Sequence, residues 1–213
     1  MARTKSPLWG LDASGSLGGE VVYSRWKGIK YALRHVIPAN PRTTEQVRTR
    51  SVFAFCSAFW ANAPALVHEP NEAAASGRPL TDRNVFIGNN VRALRSLSNL
   101  SGLVISPGVA GGYALASLDA TGGTGTVTAE AVAASPPTGW TVDQVVFVLV
   151  SDQDPHEDFS CTVLAEADAT SPYSVTWTGL DAGDYWVAAY PRYTRPDGKK
   201  AYGPSSITGV TVS

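Results

Sequence analysis

The sequence predicts an α+β N-terminal part, a β-hairpin plus two helices, followed by an all-β sandwich. Three observations carry this. Residues 21–34 alternate with the period of two that a strand with two different faces requires, broken once at Lys27-Gly28. From Thr44 to Asn62 the apolar spacing widens to that of a helix, and beyond about residue 101 it returns to period two in short runs divided by Gly, Ser and Pro. Charge reverses near the same boundary: residues 1–100 carry 13 Lys/Arg against 6 Asp/Glu, and residues 101–213 carry 4 against 12. The expected divisions are a flexible arm over 1–17, a basic hairpin-plus-helices assembly domain over 18–100, and the sandwich over 101–213.

In chain order, the first ten residues are irregular and Asp12 to Gly19 is rich in Gly and Ser, a flexible composition. The basic arm carries Trp9, which could lie along a neighbouring subunit. Glycine tolerates the positive φ of a tight turn, so Lys27-Gly28 is expected to join two strands and to gather Arg25, Trp26, Lys27, Lys30, Tyr31 and Arg34 near one end. A two-stranded hairpin is marginal in water, so this one should lie on its own helices or on another chain. Pro38 and Pro41 favour an extended connector, followed by Arg42.

Thr43-Thr44-Glu45-Gln46 matches a capping box and should start a helix that Pro64 stops. Val67 to Pro79 reads as a loop holding at most a short turn at Glu72–Ala75. Thr81-Asp82-Arg83-Asn84 should cap the second helix. Strands are expected near 103–106, 113–118, 124–133, 142–151, 160–167, 173–178, 184–193 and 206–212. Val145 to Val150 is continuously apolar and should be the central buried strand.

The 213 residues are 44% hydrophobic and 16% charged, an ordinary globular composition. The first residues lack the apolar core of a signal peptide, and no run reaches transmembrane length, so synthesis in a cytoplasm without membrane insertion is expected. Cys56 and Cys161, expected in different domains, read as two thiols rather than a bridge. The basic half could meet nucleic acid or an acidic protein surface; no nucleic-acid-binding signature accompanies it, and the protein surface is the expectation.

No nucleophile elbow, P-loop, His-Glu-x-x-His or paired Cys-x-x-Cys occurs, and His35, His68 and His156 share no ligand spacing. The acidic run Asp152 to Asp158 lacks the glycine turn and terminal Glu of an EF-hand. Gly122 to Thr126 has no helix after it and reads as a β-turn rather than a phosphate cradle. The expectation is a protein with no enzymatic activity, cofactor or metal. Trp140, Trp177 and Trp186 are expected in the core or on the sheet surface rather than in a sugar site.

Leu180-Asp181-Ala182-Gly183-Asp184-Tyr185-Trp186-Val187-Ala188-Ala189-Tyr190 resembles the penultimate-strand region of fibronectin type III and immunoglobulin-like modules. That resemblance implies Leu180 as the plug of the sandwich and Tyr185 as its tyrosine corner. Gly19 to Gly28, then Pro38-Ala39-Asn40-Pro41-Arg42-Thr43, Gln46 and Arg50, resembles small structural proteins of tailed phages and prophages. It is similar also to a bacterial family with a Trp-containing basic hairpin, a helix start and an Ig-like end in the same order. The resemblance implies a virion component, a capsid decoration or cement protein. Such a protein would dock on the major capsid protein or other virion subunits and carry an Ig-like domain outward. Docking is expected through Trp9, Arg25, Trp26, Lys27, Tyr31, Arg34 and Arg42. A homo-oligomer is compatible with this, as is the alternative of a phage tail or fibre component, or a self-assembling surface fibre protein, with a host- or glycan-binding Ig-like domain.

Overall fold

The computed structural model describes residues 2–3, 14–37, 39–109, 113–136, 138–157 and 161–213. It divides into two compact units, Met1–Arg42 and Thr43–Ser213.

The first unit is a four-stranded antiparallel sheet in the order β1-β4-β3-β2, from β1 (Ala2–Arg3), β2 (Gly15–Leu17), β3 (Val21–Trp26) and β4 (Ile29–Arg34). The central hairpin turns at Lys27 and Gly28, whose φ values of 47° and 81° are the paired positive angles of a type I′ turn. The span expected as a flexible arm supplies both edge strands. The hairpin alone leaves N–H and C=O groups unpaired along both sides, and β1 and β2 take part of that demand. Trp9 and Pro38 lie outside the described residues.

The second unit begins with α1 (Thr44–Asn62), α2 (Ala65–Ala75) and α3 (Asp82–Leu94). The hydroxyl of Thr43 accepts from Gln46 N, and that of Thr81 from Asn84 N, so two of the three helices start on a threonine cap. α2 replaces the expected loop although Pro70 lies inside it. Proline offers no N–H to the carbonyl four residues back, which is that of Leu66. The buried hydroxyl of Tyr190 donates to that carbonyl from the neighbouring sheet. The donor missing from the helix is therefore supplied by tertiary structure, and the helix survives its proline.

Among the described residues, the remaining strands are β5 (Leu115–Gly123), β6 (Thr126–Ala133), β7 (Thr141–Ser151), β8 (Val163–Asp168), β9 (Tyr173–Thr178), β10 (Gly183–Thr194), β11 (Lys200–Tyr202) and β12 (Ser206–Val212). One antiparallel sheet has the order β5-β6-β9. The other has β8-β7-β10, with β11 and β12 both paired to the far side of β10. Val145, Phe147, Leu149, Tyr185, Val187 and Ala189 share a core with Val127, Ala129, Val175 and Trp177 of the three-stranded sheet. On the opposite face, Val146, Val148, Val150, Ala188 and Tyr190 share a second core with Phe55, Phe59, Phe86 and Leu94 of the helices. The unit is thus three layers, and the unbroken apolar run of β7 reflects cover on both faces.

This packing moves the boundary. The helices were expected with the hairpin in an 18–100 domain, but they share buried contacts with the large sheet, and the compact units meet at Arg42/Thr43. Cys56 and Cys161, expected in separate domains, both pack into that helical core. Burial pushes the Cys56 thiol up to about 12.

The expected strand at 103–106 is instead a clamped crossing segment. Asn90, fully buried in α3, accepts from Val104 N at 2.7 Å and donates to Val104 O at 2.9 Å. Asn71 of α2 donates to Ile105 O at 2.8 Å, and Ser205 Oγ accepts from Ile105 N. With these backbone groups met by side chains, no ladder forms. Arg192 closes one end of the layer junction, pairing with Asp143 at 2.5 Å and Glu69 of α2 at 3.2 Å. Burial opposes its charge, but the hydrogen bond and charge of Asp143, joined by Glu69, outweigh it and raise its pKa. At the end of β8, Asp168 accepts from Ser174 N and Thr170 N, which hold its carboxyl below the usual range.

Two measurements test this account. Tyr190→Phe should cost about 1–3 kcal/mol in urea unfolding, the penalty for a buried carbonyl left without a partner. In a Pro70→Ala background, where residue 70 regains its N–H, that cost should shrink; an equal cost in both backgrounds would refute the compensation. Asp168→Asn should lower stability above the unfolded carboxyl value near 3.8, where the depressed folded pKa makes the charged form stabilising. As pH falls through the folded value the difference from wild type should vanish; a gap that persists at about pH 2 would assign the loss to packing.

Candidate docking surface

Sequence dictates the surface of the N-terminal sheet through register. Residues directly opposite in an antiparallel pair share a face. Trp26 pairs with Ile29, Ser24 with Tyr31 and Val22 with Leu33, so one face of the hairpin is uncharged and largely apolar. Arg25 pairs with Lys30, Tyr23 with Ala32 and Val21 with Arg34, so the other face carries three cations. Lys27 sits in the turn with its Nζ 5.0 Å from the centre of the Trp26 ring, a cation–π contact at the rim of the apolar face.

No residue from Ser14 to Ile37 is buried. Trp26 is 64% exposed, and Leu17, Ile29, Val36 and Ile37 are also exposed. Val21 to Ser24 and Lys30 to Leu33 reach only intermediate burial. A sheet this rich in Val, Ile, Leu, Tyr and Trp has hydrogen bonds but, among its described residues 14–37, no buried side chain. Charge is one-sided as well: residues 14–42 hold five Lys/Arg and a single acidic residue, Glu20.

The expected docking residues therefore do not form one patch. Trp26 and Tyr31 lie on the apolar face, Arg25 and Arg34 on the basic face, and Lys27 bridges the edge. Arg42 is exposed immediately before the Thr43 cap, and Trp9 lies outside the described residues. A period-two reading contained this division, since Arg25 and Trp26 are neighbours and must point oppositely.

Several other features considered in the sequence make structural contacts. His68 approaches the Ala63 carbonyl at 3.1 Å and packs its ring 4.0 Å from that of Trp60. Trp177 lies in the sandwich core, and Trp186 covers Gly209. Asp154 accepts from His156 N at 2.8 Å, a local turn contact inside the acidic run. Sequence reasoning missed a group of cations, Arg78, Arg92, Lys199 and Lys200, drawn to one groove from two distant segments. Only the contact of α2 with β11, and the groove that α3 lines beside them, reveals it.

A sheet whose described residues 14–37 hold no buried side chain should open readily in isolation. Amide hydrogens of Val21–Leu33 should exchange far faster than those of Val145–Val150 in the free protein, as mass-spectrometric exchange would show. Comparable protection in both would mean that the N-terminal sheet is stable unaided.

No protein-family model and no curated protein matches the chain. Among solved structures it is similar to fibronectin(III)-like modules of Clostridium thermocellum CbhA, at 22% identity and a TM-score of 0.29, over 46% of this chain and 91% of that one.

Proposed function

We propose that this protein is a non-enzymatic assembly component, whose N-terminal sheet completes its interior by docking on an acidic protein surface. The observation that carries the reading is the absence of any buried residue between Ser14 and Ile37, in a sheet with an aromatic and aliphatic face. Ordering such a sheet costs about 1–2 kcal/mol of backbone entropy per residue, which burial against a partner offsets.

The setting we propose is a phage virion, with the major capsid protein or another virion subunit as partner and a capsid decoration or cement role. Its support is the resemblance of residues 18–50 to small structural proteins of tailed phages. We read the two facing sheets of the second unit as an Ig-like or fibronectin III-like module. Tyr185 supports this by donating its hydroxyl to the Asp181 carbonyl at 3.0 Å, four residues back, as a tyrosine corner does. Leu180 packs on the same core. No cofactor or metal enters this reading.

The two faces take different roles. Trp26 and Tyr31 act as desolvated anchors, and Arg25, Lys30 and Arg34 steer the approach to an acidic shell. Adding the recombinant protein to capsids that lack it, and measuring occupancy, tests this. Trp26→Ala should weaken occupancy at least about tenfold, chiefly through faster release. Arg25→Glu with Arg34→Glu should slow association and flatten its salt dependence. If Trp26→Ala leaves occupancy unchanged, the docking assignment is refuted. Open-ended polymers of the free protein in light scattering would move the fibre role ahead.

A further inference from the structure

The helical layer carries a second surface, which does not depend on the N-terminal sheet. One groove of about 510 Å³ runs between α1 and α3, floored by Phe53, Ile87 and Val91 and edged by Arg92 and Arg95. Phe53 and Leu80 at this groove are 52% and 49% exposed. A second groove of about 1040 Å³ lies on the other side of α3 and is edged by Arg78, Arg92, Lys199 and Lys200. Both are lined by Leu80, Asn84, Gly88 and Arg92, so they form one trough passing over α3. Neither has an Asp or Glu among its described lining residues.

Gly88 is the second observation. It sits in the interior of α3, where glycine costs about 1 kcal/mol relative to alanine. Its backbone has no positive φ, and a Cβ placed there would meet nothing within 4 Å. No packing within the described chain therefore accounts for the missing side chain. Its effect is to expose the helix backbone at the crossing of the two grooves, where an incoming chain can approach closely.

We infer that this trough binds an acidic peptide segment of another protein, which lays an apolar side chain beside Phe53 and Leu80, crosses α3 at Gly88, and sets carboxylates against Arg92, Arg78 and the Lys199–Lys200 turn. Charge selects the occupant. The lining cations have no carboxylate partner among the described residues of the trough, and the N-terminal unit of this chain is itself basic. The apolar floor favours a peptide over a bare polyanion, because phosphates alone would leave Phe53 and Leu80 uncovered.

The test uses the full chain and a displayed library of random peptides about twelve residues long, enough to span the trough in extended form. Fluorescence anisotropy of the enriched sequences follows. The expected winners carry two or more carboxylates and at least one Leu, Ile, Phe or Trp. Gly88→Leu, which fills the crossing, and Arg92→Glu should each weaken binding at least tenfold with no loss of thermal stability. Trp26→Ala should leave this binding unchanged, which separates the trough from the N-terminal sheet. Enrichment of neutral or basic peptides, or of none, would overturn the inference. So would affinity untouched by both trough variants, or a single-stranded oligonucleotide competing as well as the peptide. Concentration-dependent self-association abolished by Gly88→Leu would make a second copy the occupant and overturn it equally.

Discussion

The hydrogen bond from Tyr190 to the Leu66 carbonyl joins two problems and solves both. A proline inside α2 leaves a carbonyl without its helical donor, and a tyrosine in the middle of β10 carries a hydroxyl into an apolar core. Either group alone would be buried and unsatisfied. Paired, they fix α2 on the large sheet at a single position, and burial holds the Tyr190 hydroxyl protonated far beyond neutral pH. From that anchor the remaining contacts follow. Glu69, one residue before Pro70, reaches Arg192 and Tyr202, and Asn71, one residue after it, reaches Ile105.

The two units solve the burial problem in opposite ways. In the second, β7 and β10 are covered on both faces, and every layer contributes to a shared interior. In the first, four strands satisfy much of each other's backbone while no side chain from residue 14 to 37 becomes buried. The second unit is a self-sufficient body. The first we read as a surface awaiting a counterpart, and the proposed assembly role rests on that contrast.

Much of this is legible in the residues, because it depends on local periodicity and turn chemistry. The hairpin at Lys27-Gly28, the Thr43 and Thr81 caps and the strand at 173–178 follow from short stretches read alone, while the Tyr185 contact is implied only by the resemblance of residues 180–190 to fibronectin type III and immunoglobulin-like modules. What escapes such a reading is non-local. A helix containing Pro70 looks forbidden until a hydroxyl 124 residues beyond Leu66 is placed beside it. The segment at 103–106 alternates like a strand, yet buried Asn90 and Asn71 claim its backbone. The domain boundary is misplaced from sequence because β7 reads equally well as the centre of a two-layer sandwich or of three layers; only the helices decide. Among the residues expected to dock, composition gathers Arg25 and Trp26 while geometry parts them.

The helical cover on the outer sheet face has a practical side. A fragment begun at residue 101, where the patterning changes, would strip Phe55, Phe59, Phe86 and Leu94 from Val146, Val148, Val150, Ala188 and Tyr190. That would open an uncharged, apolar face of the kind that drives sheets to stack on one another. What looks in the sequence like a portable cassette is half of an inseparable body. Recombinant shortening of this chain should cut at Arg42, because a cut at the sandwich would trade a folded protein for an aggregate.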